Sequence, residues 1–185
     1  VYLGATLTAY DVDRALESTY SETFYGGGYT LRNFYRTVGK GYDLKLGAIV
    51  RPFPESSFRI GVSATTPTVY ALHDYNSAII SSTVTFDDFD EAGEFVGQHT
   101  ESFSKDTQSE DALGGDLRTD YTMVAPAKFN VSLGGTIGGS FALGAEYEYT
   151  DFGNIALYDM YGDENRYMNE HTATYFNVQH TLRVG

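Results

Sequence analysis

Between Gly41 and Leu72, hydrophobic and polar positions alternate in two runs joined by a turn. In the first run, Tyr42, Leu44, Leu46, Ala48 and Val50 share one parity. Asp43, Lys45, Gly47 and Arg51 take the other, with Ile49 the exception. In the second run, Phe58, Ile60, Val62 and Ala64 oppose Arg59, Gly61, Ser63 and Thr65. Successive side chains of a strand point to opposite faces, so each run predicts a strand with one apolar and one polar wall. Pro52-Phe53-Pro54-Glu55-Ser56-Ser57 between them is turn chemistry, because Pro fixes φ and donates no backbone hydrogen bond. Together they predict a β-hairpin.

The same alternation recurs along the chain. Val1, Leu3, Ala5, Leu7 and Ala9 oppose Tyr2, Gly4, Thr6 and Thr8. Tyr121, Met123, Ala125, Ala127, Phe129, Val131, Leu133 and Ile137 oppose Thr122, Lys128, Asn130, Ser132 and Thr136. After a tight turn at Ile137-Gly138-Gly139-Ser140, Phe141, Leu143, Ala145, Tyr147 and Tyr149 oppose Ala142, Gly144, Glu146, Glu148 and Thr150. From about Thr172, Phe176, Val178, Leu182 and Val184 oppose Tyr175, Asn177, Gln179, Thr181 and Arg183. Strands are thus predicted near 1–10, 41–52, 57–72, 119–137, 140–157 and 172–185, within one domain spanning 1–185. The arm ending at Leu72 has room to run on, since Ser77 to Phe86 is β-prone. Asp11 to Thr37, Asp87 to Asp116 and Asp159 to Glu170 are polar and read as long loops, the first with Gly26, Gly27 and Gly28 at its tip.

Connections that run long, short, long, short, long are the pattern of an outer-membrane barrel, with short turns at one end and long loops at the other. A soluble sandwich needs no such asymmetry. Ten residues from Tyr42 to Arg51, at ~3.3 Å each and tilted ~45°, climb roughly 23 Å, close to the ~25 Å apolar band of such barrels. Aromatic residues fall near both ends: Phe53, Phe58 and Phe141 by the short turns, and Tyr42, Tyr70, Tyr121, Tyr149 and Phe152 toward the long loops. Two such girdles are expected where amphipathic rings meet lipid headgroups. The fold class predicted is all-β, an antiparallel transmembrane barrel present in part. Its polar parity, with Asp43, Lys45, Arg51, Arg59, Lys128, Glu146, Glu148 and Arg183, faces the lumen on this reading.

Composition narrows the function classes. The 185 residues include no Cys, which removes a disulfide framework and a thiolate metal site. A net charge of −13 argues against a nucleic-acid partner, because phosphate binding needs clustered Lys and Arg. No run approaches the ~18 apolar residues of a transmembrane helix. The sequence starts at Val1 inside one apolar run and ends at Gly185 inside another, so an internal fragment is expected, and a missing signal peptide carries no weight.

Candidate chemistry is sparse. Pro67 and Pro126 interrupt otherwise clean alternations, each about ten residues from its short turn, in strands expected to be neighbours. Pro removes a ladder hydrogen bond and belongs at edges and bulges. Both are candidate strand discontinuities; the plainer reading is two bulges where a barrel leaves the membrane. The stretch 87–116 carries ten acidic residues against one basic, Lys105. Asp87, Asp88, Asp90, Glu91 and Glu94 could offer oxygens to a divalent cation, but no EF-hand spacing is present and a solvated loop explains them as well. His73, His99, His171 and His180 show no metal or catalytic spacing. No nucleophile elbow or P-loop appears. Glu146 and Glu148 sit two apart on one strand face, where paired acids can move protons; a hydrated lumen accounts for them too. Neither an enzyme nor a cofactor is expected, and no residue is predicted as catalytic, metal-binding or ligand-binding.

GYDLKLGAIVRP followed by FRIGVSATTPTVYAL resembles the FadL/TodX family of outer-membrane transporters of hydrophobic compounds. So does MVAPAKFNVSLGGTIGGSFALGAEYEYTDFGNIAL, and so does the closing TLRVG. The loops look like those of members from the Bacteroidetes. The resemblance spans nearly the whole chain but only the later part of a family barrel. It implies a 14-stranded barrel plugged by an N-terminal hatch, and passive diffusion of long-chain fatty acids or other apolar molecules. The implied partners are a hydrophobic small molecule and outer-membrane lipid, around a monomeric barrel in the bacterial outer membrane. Two alternatives stay open: a soluble β-sandwich or lipocalin-like binding module, and a structural or adhesive surface barrel.

Overall fold

The computed structural model describes residues 1–109, 117–138 and 140–185. Its strands are β1 (Tyr2–Phe24), β2 (Gly27–Val50), β3 (Arg59–Thr65), β4 (Thr68–Phe89), β5 (Phe95–Asp106), β6 (Leu117–Ala125), β7 (Lys128–Ile137), β8 (Phe141–Asp151), β9 (Ala156–Asp159) and β10 (Val178–Val184). One helix, α1 (Arg166–Tyr175), and a 3-10 turn at Phe152–Asn154 complete the described elements. The chain is a mostly antiparallel β-sheet. β2 pairs with β3, β3 with β7, β7 with β8 and β8 with β10. Among the described residues, β1 pairs with β2 and β10 with β8, and the sheet does not close on itself.

A hairpin forms between Lys45–Val50 and Ile60–Thr65, and the predicted second arm, 57–72, breaks after Thr65. Lys45 opposes Thr65, Gly47 opposes Ser63 and Ala48 opposes Val62. Arg51 lies at its turn, where Nε donates to the Ser56 carbonyl at 2.6 Å. Its cation therefore closes the turn.

Three stretches read as loops are largely regular structure. Residues 11–37 belong to β1 and β2, broken only by the turn at Tyr25–Gly26. Gly26 takes φ +81° there, which glycine adopts without strain. Within 87–116, β4 continues to Phe89 and β5 runs from Phe95 to Asp106, while 110–116 lie outside the described residues. The 159–170 stretch leads into α1, which also takes Thr172–Tyr175 from the predicted last strand. The Asn165 side chain accepts the Met168 N–H and caps the helix. Tyr167 and Tyr175 flank His171 at ring distances of 4.5 and 5.8 Å. The predicted turn at 137–140 has Gly138 at φ +62°, and Gly139 lies outside the described residues.

Two compact units make up the chain. The first comprises Val1–Val12, Gly39–Leu72 and Asp120–Gly185. Its register lays Ala48, Val62, Val131, Tyr147 and Leu182 across one face in a single row. The next row holds Val50, Ile60, Leu133, Ala145 and Val184. These side chains are not covered: Val62 is 50% exposed, Leu133 45% and Leu182 71%. The opposite face carries Ser63, Asn130, Glu148 and Thr181 in one row. Among the described residues, Leu72 is the one hydrophobic side chain other than a proline that is buried.

The second unit comprises Asp13–Val38 and His73–Thr119. Cross-strand polar pairs hold it. Arg36 grips Asp13 through two hydrogen bonds at 3.0 and 2.8 Å, and Arg32 donates to Glu17 at 2.7 Å. On β4 and β5, Ser81 pairs with Ser104, Thr83 with Ser102 and Thr85 with Thr100 through their hydroxyls. Tyr29 donates to Glu22 at 2.9 Å, and that acceptor pushes the Tyr29 phenol up to about 12. The folded hairpin thus holds this proton more tightly than the unfolded chain. The contribution is complete below pH about 10, the ordinary tyrosine value, and is lost as pH rises through about 12. A phenolate absorbance titration of the protein minus that of Tyr29→Phe should isolate one tyrosine ionising near 12. Glu22→Gln should return it toward about 10; a difference curve already centred at 10 would contradict the pairing.

Candidate functional site: a strand break beside a buried carboxylate

All the residues of the site lie in the first unit. β3 ends at Thr65 and β4 begins at Thr68; β6 ends at Ala125 and β7 begins at Lys128. Thr65 and Lys128 form the last paired rung of β3 and β7. Pro67 lies two residues beyond Thr65 and Pro126 two residues before Lys128, so both fall in the break just past that rung. Neither proline has an N–H, so neither can donate a backbone hydrogen bond there. Lys128 also pairs with Thr150 of β8, and just beyond it β8 gives way to the 3-10 turn at Phe152–Asn154. Three adjacent strand paths are therefore interrupted side by side. Pro126 is buried and Pro67 exposed.

Toward β2 the break is bridged by side chains. Thr66 N–H donates to the Leu44 carbonyl at 2.9 Å. The Leu44 N–H, in return, finds the Thr66 hydroxyl at 3.0 Å rather than a carbonyl. Next to it sits Asp43, only 6% exposed. Its Oδ2 accepts the Tyr10 phenol at 2.8 Å and the Thr68 hydroxyl at 3.0 Å. Hydrogen bonds to an ionised carboxylate are the strong ones, and a buried carboxylate left without them is costly.

The break also changes which residues share a face. Lys45 opposes Thr65, both of odd number, yet Asp43 takes Thr68, of even number. One residue is gained at Thr66–Pro67, as in a β-bulge, so the side-chain alternation of β4 is reversed relative to β3. Tyr70, expected in an aromatic girdle with Tyr42, is corrected by this shift. It packs on Tyr10 at 5.6 Å, against Gly41, on the Asp43 side. Leu72 packs beside Gly39 in the same way. Tyr42, Phe53 and Phe141 are exposed.

The eight charged residues of the polar parity fall into groups. Asp43 anchors the buried cluster. Lys45 and Lys128 share the rung next to the break, with Thr65 between them. Arg183 opposes Glu146 and bonds it, and its Nη1 lies 3.6 Å from Glu148. The two glutamates thus share one arginine rather than standing as an isolated acid pair. Arg59 lies opposite Gly134, four rungs along from Ser63 and Asn130 on the same face. Arg51 stays at the turn.

Tyr10, Thr66 and Thr68 were not singled out by their sequence. Tyr10 and Asp43 do lie on polar parities, but only the bulge brings Thr68 to them. Elsewhere, the Asp87 carboxylate accepts from Gln98, the Asp88 carboxylate meets His99 Nδ1 at 2.6 Å, and Asp90 accepts the Ala92 and Glu94 N–H groups to close its turn. Their carboxylates serve the hairpin, and among the described residues no group of side chains is placed to hold a metal ion. His180 lies against Tyr147 and Tyr149 on the apolar face. No protein-family model, curated protein or solved structure matches this chain.

Proposed function

We propose that this chain forms part of the wall and external loops of an outer-membrane β-barrel that passes hydrophobic molecules, such as long-chain fatty acids, by diffusion. The observation that carries the reading is the exposed apolar face of the first unit. Val62, Phe129, Val131, Leu133, Leu143 and Leu182 are each 45% exposed or more. In water, leaving such a side chain uncovered forgoes about 1.5–3 kcal/mol of burial. In a bilayer the same face is solvated by acyl chains, and a polar interior behind it is the usual arrangement. The resemblance to FadL/TodX transporters points the same way.

Capture would fall to the external hairpins, followed by transfer to an apolar pocket and release through a conformational change. The polar face, with Lys45, Lys128, Glu146, Glu148 and Arg183, is a poor path for an apolar molecule. The break at Pro67 and Pro126 lacks two backbone donors, and a ligand would leave there. Replacing both prolines with Thr restores two N–H donors. Uptake of a long-chain fatty acid by cells carrying the double variant should then fall about fivefold or more, since even one restored hydrogen bond contributes roughly 1 kcal/mol. Unchanged uptake would remove the break from the mechanism. Absence of fatty-acid binding by the unaltered protein would leave a structural or adhesive surface barrel as the better reading.

A further inference from the structure

We infer that Asp43 is the positioning residue that holds the strand break shut. One oxygen, Oδ2, receives both Tyr10 from β1 and Thr68 from β4, while Asp43 itself belongs to β2. A single buried atom thus ties three strands together at the level where β3 gives way to β4. On the β2 side of the break, the Leu44 N–H is bound through a side-chain hydroxyl. On the other side, Pro67 and Pro126 donate nothing. Gly39 and Gly41 are the residues that let Leu72 and Tyr70 close over the middle of β2, since a Cβ at either would meet them well inside contact distance. The packing there is close. A carboxylate buried at such a place is retained for what it ties together, because an apolar residue would fill the space at less desolvation cost.

The role rests on the transport reading only for its consequence, a ligand exit that stays closed until the tie is released. Hydrogen–deuterium exchange of the protein in detergent micelles tests the tie itself. In Asp43→Ala, the Leu44 and Thr66 amides should exchange about tenfold faster or more, while the β7–β8 ladder keeps its rate. Asp43→Asn keeps an oxygen able to accept both hydroxyls and should stay within a few-fold of the unaltered protein. Should Asp43→Ala fail to accumulate, Tyr10→Phe combined with Thr68→Val removes the two donors to Oδ2, and the same local acceleration is expected. Unchanged exchange at Leu44 and Thr66, or acceleration spread equally through β7 and β8, would overturn the inference. Uptake of a long-chain fatty acid is measured alongside. An unaltered protein that takes up none would overturn the transport reading while local exchange still supports the tie.

Discussion

Val131→Arg is expected to prevent stable insertion of the sheet into a bilayer. Val131 stands between Val62 and Tyr147 in the middle of the apolar face and is 47% exposed. An arginine on the lipid face near the midplane of a barrel costs about 2–4 kcal/mol. A urea titration of the protein folded into lipid vesicles should show the loss as a lower midpoint. The neighbouring Ser132→Arg places the same cation on the opposite face, beside Gly61 and Glu146, and should change little. The comparison separates lipid from water as the solvent of this face. On an exposed face in water, a surface substitution stays within about 0.5 kcal/mol, and the two variants would then behave alike.

Gly39→Val is the second large effect. A Cβ at Gly39 would lie 2.1 Å from the Ala71 carbonyl oxygen and 2.8 Å from a methyl of Leu72. The carbonyl belongs to the backbone of β4 and cannot rotate aside. The strands must separate locally, at the upper end of overpacking costs, about 3 kcal/mol. Gly41→Ala is the informative partner. There the contact is the Tyr70 ring, at 2.3 Å, and a side chain can move where a backbone carbonyl cannot. Its loss should be clearly smaller, near 1 kcal/mol. Equal midpoints for the two variants in a denaturant titration would mean that β2 and β4 do not approach this closely.

The sequence was readable where one face is apolar. From Tyr42 to Thr65 and from Lys128 to Tyr149 a period of two with a hydrophobic side marks strand, and register follows from it. Over residues 11–37 and 87–106, β1, β2, β4 and β5 carry polar residues on both faces. Their strands are held by pairs such as Arg36 with Asp13 and Thr85 with Thr100, which leave no hydrophobic period to read. Such stretches look like loops although their backbone bonds are made. α1 escaped for a related reason: it is ten residues long and has no buried side chain. Pro67 and Pro126 were visible as interruptions, and their similar distances from the short turns set them in neighbouring strands. The residue gained at Thr66–Pro67 was not visible. It reverses the alternation of β4, and with it the placement of Tyr70 and Thr68. Asp43 lies on the polar parity of its strand, but its partners Tyr10 and Thr68 lie 33 and 25 residues away in sequence.

Heat-modifiable gel migration tests the central claim most directly, applied to the protein taken from isolated outer membranes. A closed barrel resists dodecyl sulfate until boiled, so the unboiled protein should migrate apart from the boiled one. A protein recovered in the soluble fraction, with one position on the gel before and after boiling, would mean that the apolar face is covered by protein rather than lipid, and the transport reading would fall with it.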